Sequence, residues 1–182
     1  MLVRSLLFAP ANRPDLFGKF PRLEADLFAL DLEDGTPPNA RATARADLAD
    51  AVRAARGKRS GHLFVRINPA GSPDFAADLA AAQGAGVDGL ILAKTESAAE
   101  VARLRTDLPV IAGIESIAGV MNAAAIAAAP SVFAVYSAPR TSQPTWARAV
   151  PLKASKCCTR ARGSCSRRRP RGSGPSTRSC ST

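Results

Sequence analysis

Arg66 stands inside an otherwise apolar run, "LFVRIN" at 63 to 68, and polar residues close other apolar runs of the chain in the same way. "LFALDLE" at 27 to 33 ends on Asp31 and Glu33 with Asp34 following. "GLILAK" at 89 to 94 ends on Lys94, "PVIAGIE" at 109 to 115 on Glu115, and Asn68 comes two residues after Arg66. A charge inside an apolar strand needs a partner. A rigid guanidinium fork at a strand end is suited to holding a carboxylate through two hydrogen bonds. His62, the single histidine, sits where a strand would begin and is expected to do no chemistry.

These residues lie far apart in the chain, so a fold must collect them. With "RSLLFAP" at 4 to 10 and "VFAVY" at 132 to 136, the apolar runs number six, and each reads as a buried parallel strand. Between them lie segments of helical spacing. In "NARATARADLADAVRAAR" at 39 to 56, Ala42, Leu48, Val52 and Ala55 can share a face; "DFAADLAAAQGAG" at 74 to 86 and "SAAEVARLRT" at 97 to 106 look similar. Ser97 is a plausible N-cap, with Glu100 at capping-box spacing.

Strand and helix alternating at roughly 20 to 30 residues means βαβ units and a parallel sheet. A doubly wound open sheet would carry a ligand loop after its first strand, and no G-x-G-x-x-G or P-loop is present. The polar strand ends fit a barrel better, because there the carboxyl ends of the strands form the active face. The expected fold class is therefore α/β, a partial (β/α)8 TIM barrel of about six strands over residues 1–136, followed by a disordered, non-native tail over residues 137–182.

Charge marks the same break. Residues 1–136 hold 14 Lys and Arg against 15 Asp and Glu, whereas residues 137–182 hold 11 basic residues and no acid, so the net charge of +10 belongs to the tail. The four cysteines, Cys157, Cys158, Cys165 and Cys180, all lie there too and match no familiar zinc spacing. A cysteine-free body suits a reducing cytoplasm. The opening "MLVRSLLFAPANRP" has too short an apolar run for a signal peptide or a spanning helix, so a soluble protein with no membrane partner is expected.

Five stretches in order, "LLFAPANRPDLFGK", "LDLEDGTPPNAR", "FVRIN", "LAKTES" and "IESIAGVMNAAAIAAAP", resemble the N-terminal half of the citrate lyase beta-subunit-like family. This is the acyl-CoA carbon–carbon lyase branch of the HpcH/HpaI aldolase superfamily. The resemblance implies a Mg²⁺-dependent cleavage of a 3-hydroxyacyl-CoA, of the citryl-, malyl- or citramalyl-CoA type, in an enzyme whose intact members form homo-oligomers. It places Phe8, Arg13 and Lys19 at the coenzyme A contact, where a guanidinium and an ammonium suit phosphates. It makes Arg66 the residue that binds the carboxylate of the oxo-acid portion and Glu115 one of two carboxylates on Mg²⁺. Glu33 and Asp34 are open between supporting the metal and capping the helix that follows "TPPNAR". Lys94 is open between facing coenzyme A and pairing with Glu115. No residue is identified as the base.

The second metal carboxylate is where the resemblance fails. The family strand continues with a pattern like FGAEDLAADLG, whose aspartate is the other Mg²⁺ ligand. This chain has Ser137, Ala138, Pro139, Arg140 and Thr141, with Thr141 in that aspartate's place. Reading GC-rich codons one base earlier, with one T restored before the serine codon, yields FGAEDFTADLG and then an alanine-rich helical segment. A frameshift after Tyr136 would leave the last two βα units absent, the sheet edge exposed, and the chain poorly soluble with little or no lyase activity. Two other readings remain. One is a metal-dependent aldolase for free 2-oxo acids, disfavoured by the Phe8, Arg13 and Lys19 set and by the lack of a histidine near Asp31 to Asp34. The other is a nucleic-acid-binding protein acting through "RARGSCSRRRPRGSG", which lacks an aromatic stacking platform in the body.

Overall fold

A computed structural model describes residues 3–57 and 61–137. The tail from residue 138 onward, with the expected disorder, the frameshifted segment, Thr141 and the four cysteines, lies outside the described residues. Each of the six apolar runs forms a strand: β1 (Leu6–Pro10), β2 (Leu27–Asp31), β3 (His62–Ile67), β4 (Gly89–Leu92), β5 (Val110–Ile114) and β6 (Val132–Ser137). They make one parallel sheet in sequence order, β1-β2-β3-β4-β5-β6. The inner strands β2, β4 and β5 are buried at every position, which explains their unbroken apolar runs. β1 and β6, at the two ends of the order, are largely half-buried or exposed.

The sheet is curled. Five steps of about 4.8 Å would put the outermost strands of a flat sheet roughly 24 Å apart. Yet the rings of Phe8 on β1 and Tyr136 on β6 lie 6.3 Å apart, centroid to centroid. Alternation along the strands then divides the core in two. Leu27, Ala29, Phe64, Ile91 and Ile111 fill the concave side, with Leu6, Phe8, Ala134 and Tyr136 packed against them. Phe28, Leu30, Val65, Ile67, Leu90, Leu92 and Ala112 face outward beneath the helices. This is the expected partial barrel, with a lumen and a helical jacket. A bulge at Phe133 breaks the β5–β6 register, and that ring packs edge-on against Phe64 at 5.9 Å.

The helices are α1 (Pro14–Phe17), α2 (Pro38–Ala46), α3 (Leu48–Arg56), α4 (Phe75–Gly84), α5 (Ala98–Ala102), α6 (Ile117–Met121) and α7 (Ala123–Ala127). The single helix expected over 39 to 56 is thus two, divided at Asp47, whose backbone (φ −90°, ψ 3°) leaves the helical region. The expected face is corrected at one position: Ala42 is exposed, and Ala44 joins Leu48, Val52 and Ala55 in the core. Counting back four residues from Leu48 reaches Ala44, one turn earlier on the same face, whereas Ala42 lies off it. Ser97 caps α5 as expected, its hydroxyl accepting from Glu100 N, while the Glu100 carboxylate accepts from the backbone of Glu96. Among the described residues no helix is long and apolar enough to cross a membrane.

A candidate active site at the carboxyl ends of the strands

The two-residue period of a strand decides which polar side chains reach the lumen. Ala29 and Phe64 face it, so Asp31 and Arg66, two residues on, do as well. Ile111 faces it, and the same step carries through Gly113 to Glu115, just past β5. Asp31 and Arg66 are also register partners on β2 and β3. Arg66 donates from Nε and Nη2 to Asp31 Oδ1 and Oδ2 at 2.8 and 2.6 Å. The same carboxylate accepts from the backbone N–H groups of Glu33 and Gly35. Asp31 therefore holds both the guanidinium and the loop that follows its own strand. A Cβ at Gly35 would come within 2.4 Å of Asp31 Oδ2, so that loop closes only around a glycine. Burial by itself would lower the Arg66 pKa, but the hydrogen bonds and charge of Asp31 outweigh it and raise it above the ordinary value.

The rest of the mouth gathers round this pair. The guanidinium carbon of Arg66 lies 4.8 Å from the centroid of the Phe8 ring, a cation–π contact. Glu33 is buried, with Oε2 3.5 Å from Arg66 Nη2 and Oε1 bonded to Lys94 Nζ; Lys94 also reaches Asp34 at 3.1 Å. One of the open assignments is decided here. α2 begins behind Pro37 with no side-chain cap, so Glu33 and Asp34 are not capping residues. Lys94 donates to those two carboxylates, and its charge also acts on Glu115, in the sense of the pairing expected for it. Its backbone takes a φ of +49°, a left-handed conformation costly for a side chain of this kind. Burial opposes the Lys94 charge, yet Glu33 holds its pKa above the ordinary value.

Glu115 is 6% exposed, and its pKa is pushed up first by burial and then by the charge of Glu33, against smaller opposing effects of Lys94 and Arg66. An acid whose ionisation is opposed by burial and by the charge of Glu33, beside a buried oxygen (Glu33 Oε2) that accepts no hydrogen bond, makes a setting that a hard cation relieves. Mg²⁺ is satisfied by one or two protein carboxylates, with water and ligand oxygens completing its shell. The donor set fits on that count, although no group of three or more metal-ligating side chains assembles among the described residues.

Other expected residues are placed elsewhere. Phe8 lies in the lumen under Arg66, whereas Arg13 and Lys19 are exposed on the segment after β1, and Arg13 is paired with Asp15 at 2.8 Å. His62 opens β3, as anticipated, and is exposed. Asn68 is not part of the mouth: its amide donates to Leu32 O and to the buried Asp78 of α4, which also takes Arg45. Two residues of the mouth were not singled out as partners from sequence. Asp31 had a signal, since it ends its strand with the lumen parity and Arg66 required an anion. Tyr136, beside Arg66 and over Gly113, had none beyond being the only tyrosine.

Comparison with known proteins agrees with this arrangement. Residues 4–140 match the HpcH/HpaI aldolase/citrate lyase family. The chain is similar to the citrate lyase subunit beta-like protein of Deinococcus radiodurans, with 40% identity over 146 residues that cover 74% of this chain and 51% of that one. It is also similar to the L-malyl-CoA/beta-methylmalyl-CoA lyase of Cereibacter sphaeroides, with 37% identity over 101 residues, 54% of this chain and 31% of the other. A crystal structure of the protein CitE from Mycobacterium tuberculosis, in complex with magnesium, acetoacetate and coenzyme A, superimposes with a TM-score of 0.63 at 36% identity, covering 75% of this chain and 49% of that one. The chain spans about half the length of the curated citrate lyase beta-like relatives it matches.

Proposed function

Since the chain belongs to the HpcH/HpaI aldolase/citrate lyase family, we propose that its site is built for cleaving a carbon–carbon bond in a 3-hydroxyacyl-CoA of the citryl-, malyl- or citramalyl-CoA type, giving a 2-oxo acid and an acyl-CoA. The observation that carries this is Arg66, half-buried at the lumen mouth and clamped by Asp31 beside Glu115. Nε and Nη2 face Asp31, which fixes the plane of the fork and leaves the Nη1 edge for the carboxylate of the oxo-acid portion. Phe8 under the guanidinium excludes water from one face. Glu115, with Glu33 behind it, would hold Mg²⁺, which when bound polarises the oxygen that becomes the oxo group. Lys94 keeps the charge of Glu33 and Asp34 balanced until then. Cleavage removes the proton of the substrate hydroxyl, breaks the bond between the hydroxyl-bearing carbon and the neighbouring carbon, and leaves the electron pair on a thioester enolate that takes up a proton.

Residues 137–182 we read as the product of a one-base loss, so that the second metal carboxylate is replaced and lyase activity is impaired. The FGAEDFTADLG recovered in the neighbouring frame supports this, as does a family match that stops at residue 140. Both proposals meet in one experiment. The gene is resequenced across the codons for Tyr136 and Ser137, and the present chain and a version with one T restored are assayed with Mg²⁺ on malyl-, citryl- and citramalyl-CoA. Oxo acid should appear with the restored chain and be nearly absent with the present one. Failure of both on all three thioesters sinks the lyase reading, and full activity of the present chain sinks the frameshift.

A further inference from the structure

Tyr136 is unexplained by the roles assigned so far. Its ring crosses the lumen from β6 so closely to β5 that a Cβ on Gly113 would lie 2.9 Å from the hydroxyl oxygen, and it tilts against Phe8. The hydroxyl is buried beside Arg66, whose hydrogen bond and charge both act on its oxygen, while its own proton finds no acceptor among the described residues. A buried hydroxyl whose proton has no acceptor is costly, and such groups in folded proteins call for a partner or a role.

The candidates for that partner are limited by what lies around it. Asp31 is saturated by Arg66 and two backbone N–H groups, and Lys94 is committed to Glu33 and Asp34. Among the described residues at the mouth, the side chains with donors to spare for an anion are then Arg66, through its Nη1 edge, and Tyr136, through its O–H. We infer that Tyr136 Oη is a second donor to the carboxylate bound by Arg66, so that the pair forms a two-sided receptor selective for a short 2-oxo acid. The inference rests on the assignment of Arg66 to a substrate carboxylate. Burial pushes the Tyr136 pKa above its ordinary value, with Arg66 opposing, so the phenol keeps its proton near neutrality and can donate. Gly113 is part of the device, because any side chain there would push the hydroxyl out of line.

The test uses the full chain with pyruvate as probe in the presence of Mg²⁺. Dissociation constants are measured by calorimetry for the wild type, Tyr136→Phe and Arg66→Lys, with melting temperatures recorded alongside. Tyr136→Phe should weaken pyruvate binding about tenfold at an unchanged or higher melting temperature, and Arg66→Lys should weaken it further. Because Tyr136 is the only tyrosine of the chain, wild-type protein labelled with ¹³C at the tyrosine ζ carbon gives one resonance and needs no mutation. That resonance should move on saturation with pyruvate. A stationary resonance, or equal affinity in Tyr136→Phe while Arg66→Lys loses binding, overturns the role of Tyr136 and leaves Arg66 standing. The same titrations are run on the chain with one T restored, whose second metal carboxylate is regained; absence of pyruvate binding to both chains, or its persistence in Arg66→Lys, removes the reading on which the inference rests.

Discussion

Asp31 and Arg66 face each other across adjacent strands as register partners, and both carboxylate oxygens are taken by the guanidinium at 2.8 and 2.6 Å. The pair is largely hidden from solvent, with side-chain exposures of 4% and 15%. Breaking such a pair leaves a buried charge uncompensated, which is worth about 3 kcal/mol. Asp31→Asn should lose about that much in urea denaturation, because the amide turns a donor toward the guanidinium where an acceptor stood. The same variant should bind pyruvate at least tenfold more weakly, since nothing then fixes the plane of Arg66.

The lumen tolerates no addition at Gly89. A Cβ there would lie 2.3 and 2.4 Å from two atoms of the fully buried Phe64 ring and 2.6 Å from the carbonyl oxygen of Pro109. Neither neighbour can yield without moving a strand, so Gly89→Ala should destabilise the protein by about 2 kcal/mol or more. Gly84→Ala, at the end of α4 with nothing within 4 Å of the new methyl, should be neutral or stabilising by up to roughly 1 kcal/mol. Thermal melts of the two variants make the comparison.

Asp78 is completely buried on α4 and depends on Arg45 and on Asn68 for its charge and hydrogen bonds. Arg45→Met should cost about 3 kcal/mol, for it strands that carboxylate. Arg53→Met breaks only the pair with Asp50, both side chains being 74% exposed, and should cost less than about 1 kcal/mol. Denaturant midpoints that rank the two variants in the opposite order would exclude this account of the network.

At the opposite end of the barrel Asp26 accepts from the side chain and backbone N–H of Arg4 and from the hydroxyl and backbone N–H of Ser5. Those hydrogen bonds, led by that of the Arg4 side chain, hold its carboxyl well below the ordinary value of 3.8. A carboxylate whose pKa is depressed on folding stabilises the protein above its unfolded value, and that contribution disappears as pH falls through the folded one. Asp26→Asn should therefore melt below the wild type near neutrality, and the gap should close as the solution is taken down from about pH 4 toward pH 2. A gap that stays constant over that range would show that the ionised carboxylate is not the source of the stabilisation.

Much of this molecule was legible in the order of its residues. Runs such as "GLILAK" and "PVIAGIE" are apolar at consecutive positions because a parallel strand is covered on both faces, and each became a strand within a few residues of the expected place. Arg66 announced itself, because a charge in such a run demands an anion. The less local the property, the worse it was read. Asp47 divides a helix that the pattern of apolar residues ran straight through, and Asn68, polar at a strand end like its neighbours, turned out to anchor α4.

What the amino-acid order determined by itself, then, is the alternation of strand and helix, the parity that aims Asp31, Arg66 and Glu115 to one side, and the family pattern that those positions spell. What only the tertiary structure decided is which of them meet. Register set Asp31 against Arg66, and a left-handed turn at Lys94 accompanied its bonds to Glu33 and Asp34. The curl of the sheet brought Tyr136 of β6 to Phe8 of β1. Parity repeats every two residues and can be read locally, whereas register, curl and pairing depend on distances between segments tens of residues apart, which no local pattern encodes.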